Sequence, residues 1–216
     1  MFLALERGTA FAAQAAVLSL ACTLPALSFG ITYAWSSRRL PWPGAVACAY
    51  VAWFGGVFAL SLVPLSLWSA LALALATLLA APRFFPVPQP IGETRRLPAW
   101  EILLRMAAGA VMVLGVTAAA ESLGTLWTGF FAAFPVMSTV MAVFSHRANG
   151  AGFTQAMLRA MVAGFYAYAA FCFVFGLAVV ELGVAGATVA ALLCLAGIQV
   201  VRAVAVRGRP GTATAR

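Results

Sequence analysis

Long, unbroken apolar blocks alternate along this chain with short polar connections rich in proline and arginine. A helix that crosses a bilayer needs about 20 apolar residues, with a tolerated range of roughly 17 to 25. Seven blocks meet or approach that length, at about 9–35, 44–63, 67–81, 99–120, 125–144, 156–180 and 184–204. The breaks between them carry their own signals. Ser36 to Pro43 holds a basic pair and two prolines, and Pro64 to Ser66 makes a tight turn. Pro82, Pro86, Pro88, Pro90 and Pro98 favour extended, polyproline-like chain. Glu121 to Gly124 reads as a turn and His146 to Gln155 as a Gly- and Asn-bearing loop. The pattern predicts an all-α integral membrane protein of seven transmembrane helices. Residues 1–81 form a three-helix half, 82–98 a Pro/Arg-rich linker, 99–204 a four-helix half and 205–216 a basic tail. A membrane barrel would instead show alternating segments of about ten residues, and helices are the other way to satisfy backbone polar groups in lipid.

Composition sharpens this picture. Apolar residues make up 64% of the chain, charged residues 8%, and mean hydropathy is +1.03, whereas charged residues are about a quarter of a soluble domain. The formal net charge of +8 comes from arginine set against five acidic residues, all of them glutamate, with no lysine or aspartate. Such an excess can mark nucleic-acid binding, but these arginines sit in the connections and tail, so no nucleic-acid partner is expected. Positive residues favour the cytoplasmic side of short loops. Arg38, Arg39, Arg83, Arg95, Arg96, Arg147, Arg159, Arg202, Arg207, Arg209 and Arg216 fall on one side of a seven-span arrangement. Glu6 with Arg7, the Pro64 turn, Glu121 and Glu181 fall on the other, which puts the N-terminus outside and the C-terminus inside. Met1 to Gly8 lacks the basic region of a cleavable signal.

The stretch Gly129-Phe130-Phe131-Ala132-Ala133-Phe134-Pro135-Val136-Met137-Ser138 places a proline in the middle of an apolar run. Proline cannot donate a backbone hydrogen bond and displaces the carbonyl four residues back, here that of Phe131. In lipid that carbonyl needs a partner, so the site is expected to face protein or water. Pro25-Ala26-Leu27-Ser28 ahead of Ser36-Ser37-Arg38 echoes Pro135-Val136-Met137-Ser138 ahead of Ser145-His146-Arg147, and Gly56 is echoed by Gly164. The prolines lie four crossings apart, so the halves would form a parallel internal repeat about an axis along the membrane normal, as 3 + 1 + 3 or 3 + 4 helices.

No ionisable residue lies deep in a span, where it would point to a functional site. Pro25, Ser28, Pro135, Ser138 and Thr139 are the candidate cavity and hinge residues, and a cavity among them would be uncharged. Gln14, Thr23, Thr32, Thr128, Tyr166, Tyr168 and Gln199 are the other polar residues within spans. Arg105 and Arg159, by snorkelling from helix ends, and His146 and Arg147, in the loop, are candidate contacts for an anion or a lipid headgroup. Glu101 and Arg105 are spaced to offset each other on one helix face. Cys22, Cys48, Cys172 and Cys194 form no paired motif and read as packing thiols. With one histidine and no clustered ligands, no metal, no cofactor and no catalytic set are expected.

The second half, about 100–205, resembles the small four-span bacterial inner-membrane proteins of the GlpM type. The residues that carry this are Gly129 ahead of Phe134-Pro135, the apolar run to Phe144, the polar loop from His146 to Gly152, and Met157-Leu158-Arg159-Ala160. The resemblance implies a bacterial inner membrane and brings no chemistry with it. In topology alone the chain also resembles the SWEET-type sugar facilitators, although their Pro-Gln signature is absent from the corresponding helices, and topology does not carry function. The expected function is facilitative passage of a neutral or weakly polar solute. The alternative is a non-enzymatic accessory protein that packs on a partner through small residues such as Gly109, Gly115, Gly176 and Gly183. The expected partners are membrane lipid, a small solute, and a second copy or another membrane protein.

Overall fold

The computed structural model describes residues 9–91, 98–123 and 134–207. Six helices make up the described chain, with no strand among them: α1 Thr9–Ala21, α2 Thr23–Ser36, α3 Trp42–Ser61, α4 Leu67–Phe84, α5 Ala99–Leu123 and α6 Val136–Arg207. α1 and α2 together form one apolar rod. Among the described residues five helices are long and apolar enough to cross a membrane, not the seven expected.

The difference arises at two glycines. A straight helix as long as α6 would reach about 100 Å, more than three times the roughly 30 Å of a hydrocarbon core. Gly150 (φ 78°, ψ 179°) and Gly183 (φ 67°, ψ 178°) interrupt it with non-helical backbone, in a region that side chains other than glycine's resist. The contacts show the chain turning back near the first of them. Tyr50 meets Thr139, Tyr33 meets His146 and Ser37 meets Gln155. Tyr168 then meets Ser19, and Gly176 lies against Ala16. The chain therefore descends beside α2 to the Ser37 end and climbs back along α1. The expected loop from His146 to Gln155 is helical apart from Gly150, because one glycine with a left-handed φ suffices for the reversal. Thr154 Oγ1 donates to the Gly150 carbonyl (3.0 Å), the back-bond of a hydroxyl to the carbonyl four residues earlier in the first turn after the break.

The first span is broken at Cys22. Pro25 has no N–H to give the carbonyl of Ala21, four residues back, so the ladder lapses there and restarts as α2 with Pro25 in its first turn, where proline is tolerated. Pro135 holds a different position. It immediately precedes α6 and its carbonyl accepts from Thr139 N (2.8 Å), so it opens a helix rather than interrupting one. Gly129, Phe131 and Thr128 of the expected fifth span lie outside the described residues.

Ser66 caps α4 through a reciprocal pair with Ser69, which joins the α3 and α4 hairpin as a capping box does. The third expected span, 67–81, is a helix that runs on through Pro82 to Phe84. α2, α3, α4 and α6 pack round one core. α3 contributes Ala45, Ala49, Trp53 and Val57, and α4 contributes Ala70, Ala74 and Leu78. The spacing of four puts each set on one helix face, and the alanines allow close approach of backbones. The outward faces carry exposed Val51, Phe58, Trp68 and Leu79, as lipid-facing helices do. α5 differs: none of its apolar window is buried, and among the described residues its main packing partner is α6.

Candidate functional site

The centre of the bundle is an aromatic layer. Phe29 on α2, Tyr50 and Trp53 on α3, and Phe134 ahead of α6 have ring centroids 5.1–5.5 Å apart in successive pairs. Such tilted and stacked pairs contribute about 0.5–1.5 kcal/mol each beyond the area they bury. Tyr50 Oη donates to Thr139 Oγ1 (3.1 Å), tying α3 to α6. Ser28 Oγ donates to the Pro25 carbonyl (2.8 Å), with the Ala52 carbonyl at 3.3 Å. Gly56 makes room for this crossing, since a Cβ there would stand 3.0 Å from Pro25 Cβ. Two polar atoms are left in the packed region: Trp53 Nε1 and Thr23 Oγ1 are buried with no hydrogen-bond partner among the described residues. An unmade bond of that kind costs about 1–3 kcal/mol.

A cavity lies toward each end of this layer. One, of about 440 Å³, is lined by Gln14, Leu18, Ser61, Pro64 and Gly176 among others. The other, of about 790 Å³, is lined by Thr32, Trp35, Ser36, Arg38, Arg39, Leu40, Cys48 and Gln89. Both touch the α1–α2 rod, and the stretch from Ser19 to Ile31 separates them. Gln14 and Thr32 thus belong to cavities on opposite sides of the aromatic layer.

A buried polar node closes the Ser37 end. Gln155, only 1% exposed, donates through Nε2 to Ser37 Oγ (3.2 Å) and accepts from Gln89 N (3.0 Å). One amide therefore ties the α2 terminus, the proline linker and α6. Beside it Tyr33 Oη and His146 Nδ1 are 3.2 Å apart, and the Tyr33 hydroxyl also lies 3.4 Å from the Ala142 carbonyl.

The sequence-predicted residues are distributed over these features. Pro25 and Ser28 join the α2–α3 crossing, Thr139 joins the aromatic layer, and Pro135 is buried ahead of α6. Ser138 is half-buried in the first turn of α6, and no contact among the described residues joins it to Ser28. Neither cavity includes Ser28, Pro135 or Ser138. Arg105 donates to Glu101 (2.9 Å) and lies over the Phe144 ring, so the spaced pair forms. Arg147 lies over the Trp42 ring, 5.7 Å from its centroid, and Arg159 is exposed. Of Tyr166 and Tyr168, the second reaches Ser19.

Sequence reasoning passed over Tyr33, Ser37, Tyr50, Trp53 and Gln155. Gln155 had a usable signal, an amide at the head of an apolar run, where an intramembrane helix partner is the ordinary reason for a polar side chain. The aromatic layer had none, because Phe and Trp are also common on lipid-facing surfaces.

No group of three or more metal-ligating side chains occurs among the described residues. Comparison of the chain with protein-family models, with curated proteins and with solved structures finds no match in any of the three.

Proposed function

We propose that this chain is a small facilitative permease for a neutral or weakly polar solute, with a path along the α1–α2 rod and its interface with α3. The observation that carries the reading is the pair of cavities at opposite ends of that rod with the aromatic layer between them. That is the arrangement of an occluded pathway: two vestibules and one closed barrier. Gln14 and Thr32 supply uncharged polar groups to the vestibules, and the break at Cys22 with Pro25 just beyond it supplies a place to bend. No buried carboxylate is available among the described residues for coupling to protons, so passage runs down the solute's gradient.

In this reading the chain crosses a bacterial inner membrane seven times. The reversal at Gly150 and the interruption at Gly183 divide the last element into three crossings. The arginine-rich connections then lie inside with the C-terminus, and the N-terminus lies outside. The order is three helices, one, and three, as in the SWEET-type arrangement.

Single cysteines at positions 14, 28 and 32, in a protein lacking its native cysteines, test the path with a membrane-impermeant thiol reagent. Q14C is expected to label only from outside and T32C only from inside, with S28C slow from both. Reconstituted vesicles are expected to swell faster than empty ones in at least one of glycerol, erythritol, urea and a hexose. Labelling of Q14C and T32C from the same side, or swelling no faster than empty vesicles across that panel, would overturn the proposal.

One observation favours the accessory reading, and it belongs to α5. Its apolar window is unburied, and added Cβ atoms at Gly109 and Gly115 would meet nothing. A helix with open small-residue positions can receive a second helix. Crosslinking from G109C to a partner band in native membranes, together with no solute passage, is the outcome that would select this reading.

A further inference from the structure

The cavity at the Ser37 end carries a feature that solute passage does not use. We propose that it binds the phosphate of an anionic phospholipid, held by Arg38 and Arg39. The inference stands apart from the permease reading, because it rests on the rim of the cavity and on charge rather than on a path.

Arg38 and Arg39 both line the cavity, and no carboxylate among the described residues pairs with either. Glu101 is paired with Arg105. Glu181 lies near Val179, which packs with Ala12 at the opposite end of the bundle. The site is also partly preformed. Arg38 sits over the Trp35 ring, 5.3 Å from its centroid, and that ring is fixed by Trp35 Nε1 donating to the Phe84 carbonyl (2.8 Å). Arg147, over Trp42, adds a third cation at this end. Guanidinium groups offer planar paired donors that match phosphate oxygens.

The remaining walls decide the kind of phosphate. Leu40 and Cys48 line the cavity, and three residues along α3 from Cys48 the side chain of Val51 is 74% exposed. Thr32, Ser36 and Gln89 are polar, but on the Leu40–Cys48 side the lining passes from cationic to apolar and continues onto a bare helix face. That gradient suits an amphiphile, with its phosphate at the arginines and its acyl chain along α3. A tryptophan and arginines at the end of a span are also the usual interfacial set, and basic pockets between helices at a membrane surface can receive anionic headgroups.

Cys48 makes the site readable in the unmutated protein. Its thiol is exposed, whereas Cys22 and Cys172 are buried and Cys194 is half-buried. In nanodiscs of phosphatidylcholine with added phosphatidylglycerol, maleimide modification of Cys48, located by peptide mass, is expected to slow severalfold relative to phosphatidylcholine alone. The purified protein is expected to retain phosphatidylglycerol in preference to phosphatidylcholine. R38Q/R39Q should weaken that preference about 25-fold, at about fivefold for each arginine, and R38K/R39K should retain part of it. Equal modification of Cys48 in both lipids in the unmutated protein would overturn the proposal, as would an unchanged preference in R38Q/R39Q. Protection of Cys48 in detergent by glycerol 1-phosphate as strong as that by the lipid would assign the site to a soluble phosphate ester and overturn the lipid assignment.

Discussion

A Cβ on Gly152 would stand 2.6 Å from the carbonyl oxygen of Gln89 and 2.7 Å from that of Pro90. This close approach seats the proline linker against α6 and puts Gln89 N within reach of Gln155. Both obstacles are backbone, so the linker could not yield without losing that bond. G152A is therefore expected to destabilise the protein by roughly 1–3 kcal/mol, as overpacking does, seen as a lower thermal midpoint in detergent. G109A, where nothing lies within 4 Å, is the neutral comparison, and equal midpoints for the two would contradict the contact.

Gly150 makes a separate demand. Its φ of 78° with ψ near 179° is a backbone state that belongs almost entirely to glycine, and forcing a side chain into it costs about 1–3 kcal/mol. G150A should lower stability within that range and increase proteolysis between Asn149 and Gly152. Unchanged cleavage and stability would mean that the chain does not reverse there.

Gln155 is the polar centre of the Ser37 end. Q155L removes the acceptor for Gln89 N and the donor to Ser37 Oγ, leaving a backbone N–H unpaired. The expected cost is about 1–3 kcal/mol, larger than that of S37A, which keeps the bond to Gln89. Denaturant unfolding of both variants measures the order, and the reverse order would remove Gln155 from its bridging role.

Tyr50 and Thr139 test how tightly α3 is held to α6. Their hydroxyls are 3.1 Å apart, and interhelical hydrogen bonds in membranes couple by about 0.6 kcal/mol on average. A double-mutant cycle with Y50F and T139V should return a coupling of that order. If the aromatic layer is the barrier to solute, Y50F should change the rate of passage little, whereas W53A should raise it by opening the layer.

Much of the architecture was legible in the apolar pattern, and the reason is local. Each span is set by a continuous run of its own residues, so α3, α4 and α5 fall within a few residues of the expected blocks. The Glu101–Arg105 pair was legible for the same reason, since four residues along a helix bring two side chains together. Helix breaks were read less well. Proline at 25 and 135 looked equivalent in sequence, yet one restarts a helix and the other precedes one, because the outcome depends on which neighbours supply the missing hydrogen bonds. The reversal at Gly150 was mistaken for a loop of several residues, since composition cannot distinguish a single left-handed glycine from a longer turn.

By itself, then, the order of residues determined that the chain is helical and suited to a membrane, and where most of its spans lie, because burial in lipid is decided helix by helix. Tertiary structure alone decided which polar side chains meet. Tyr33 with His146, Ser37 with Gln155, and the Arg38–Trp35–Phe84 series join residues far apart in the chain or turned together at a helix end. Their partners are chosen by how helices pack, through alanine and glycine faces that no run of hydropathy reveals.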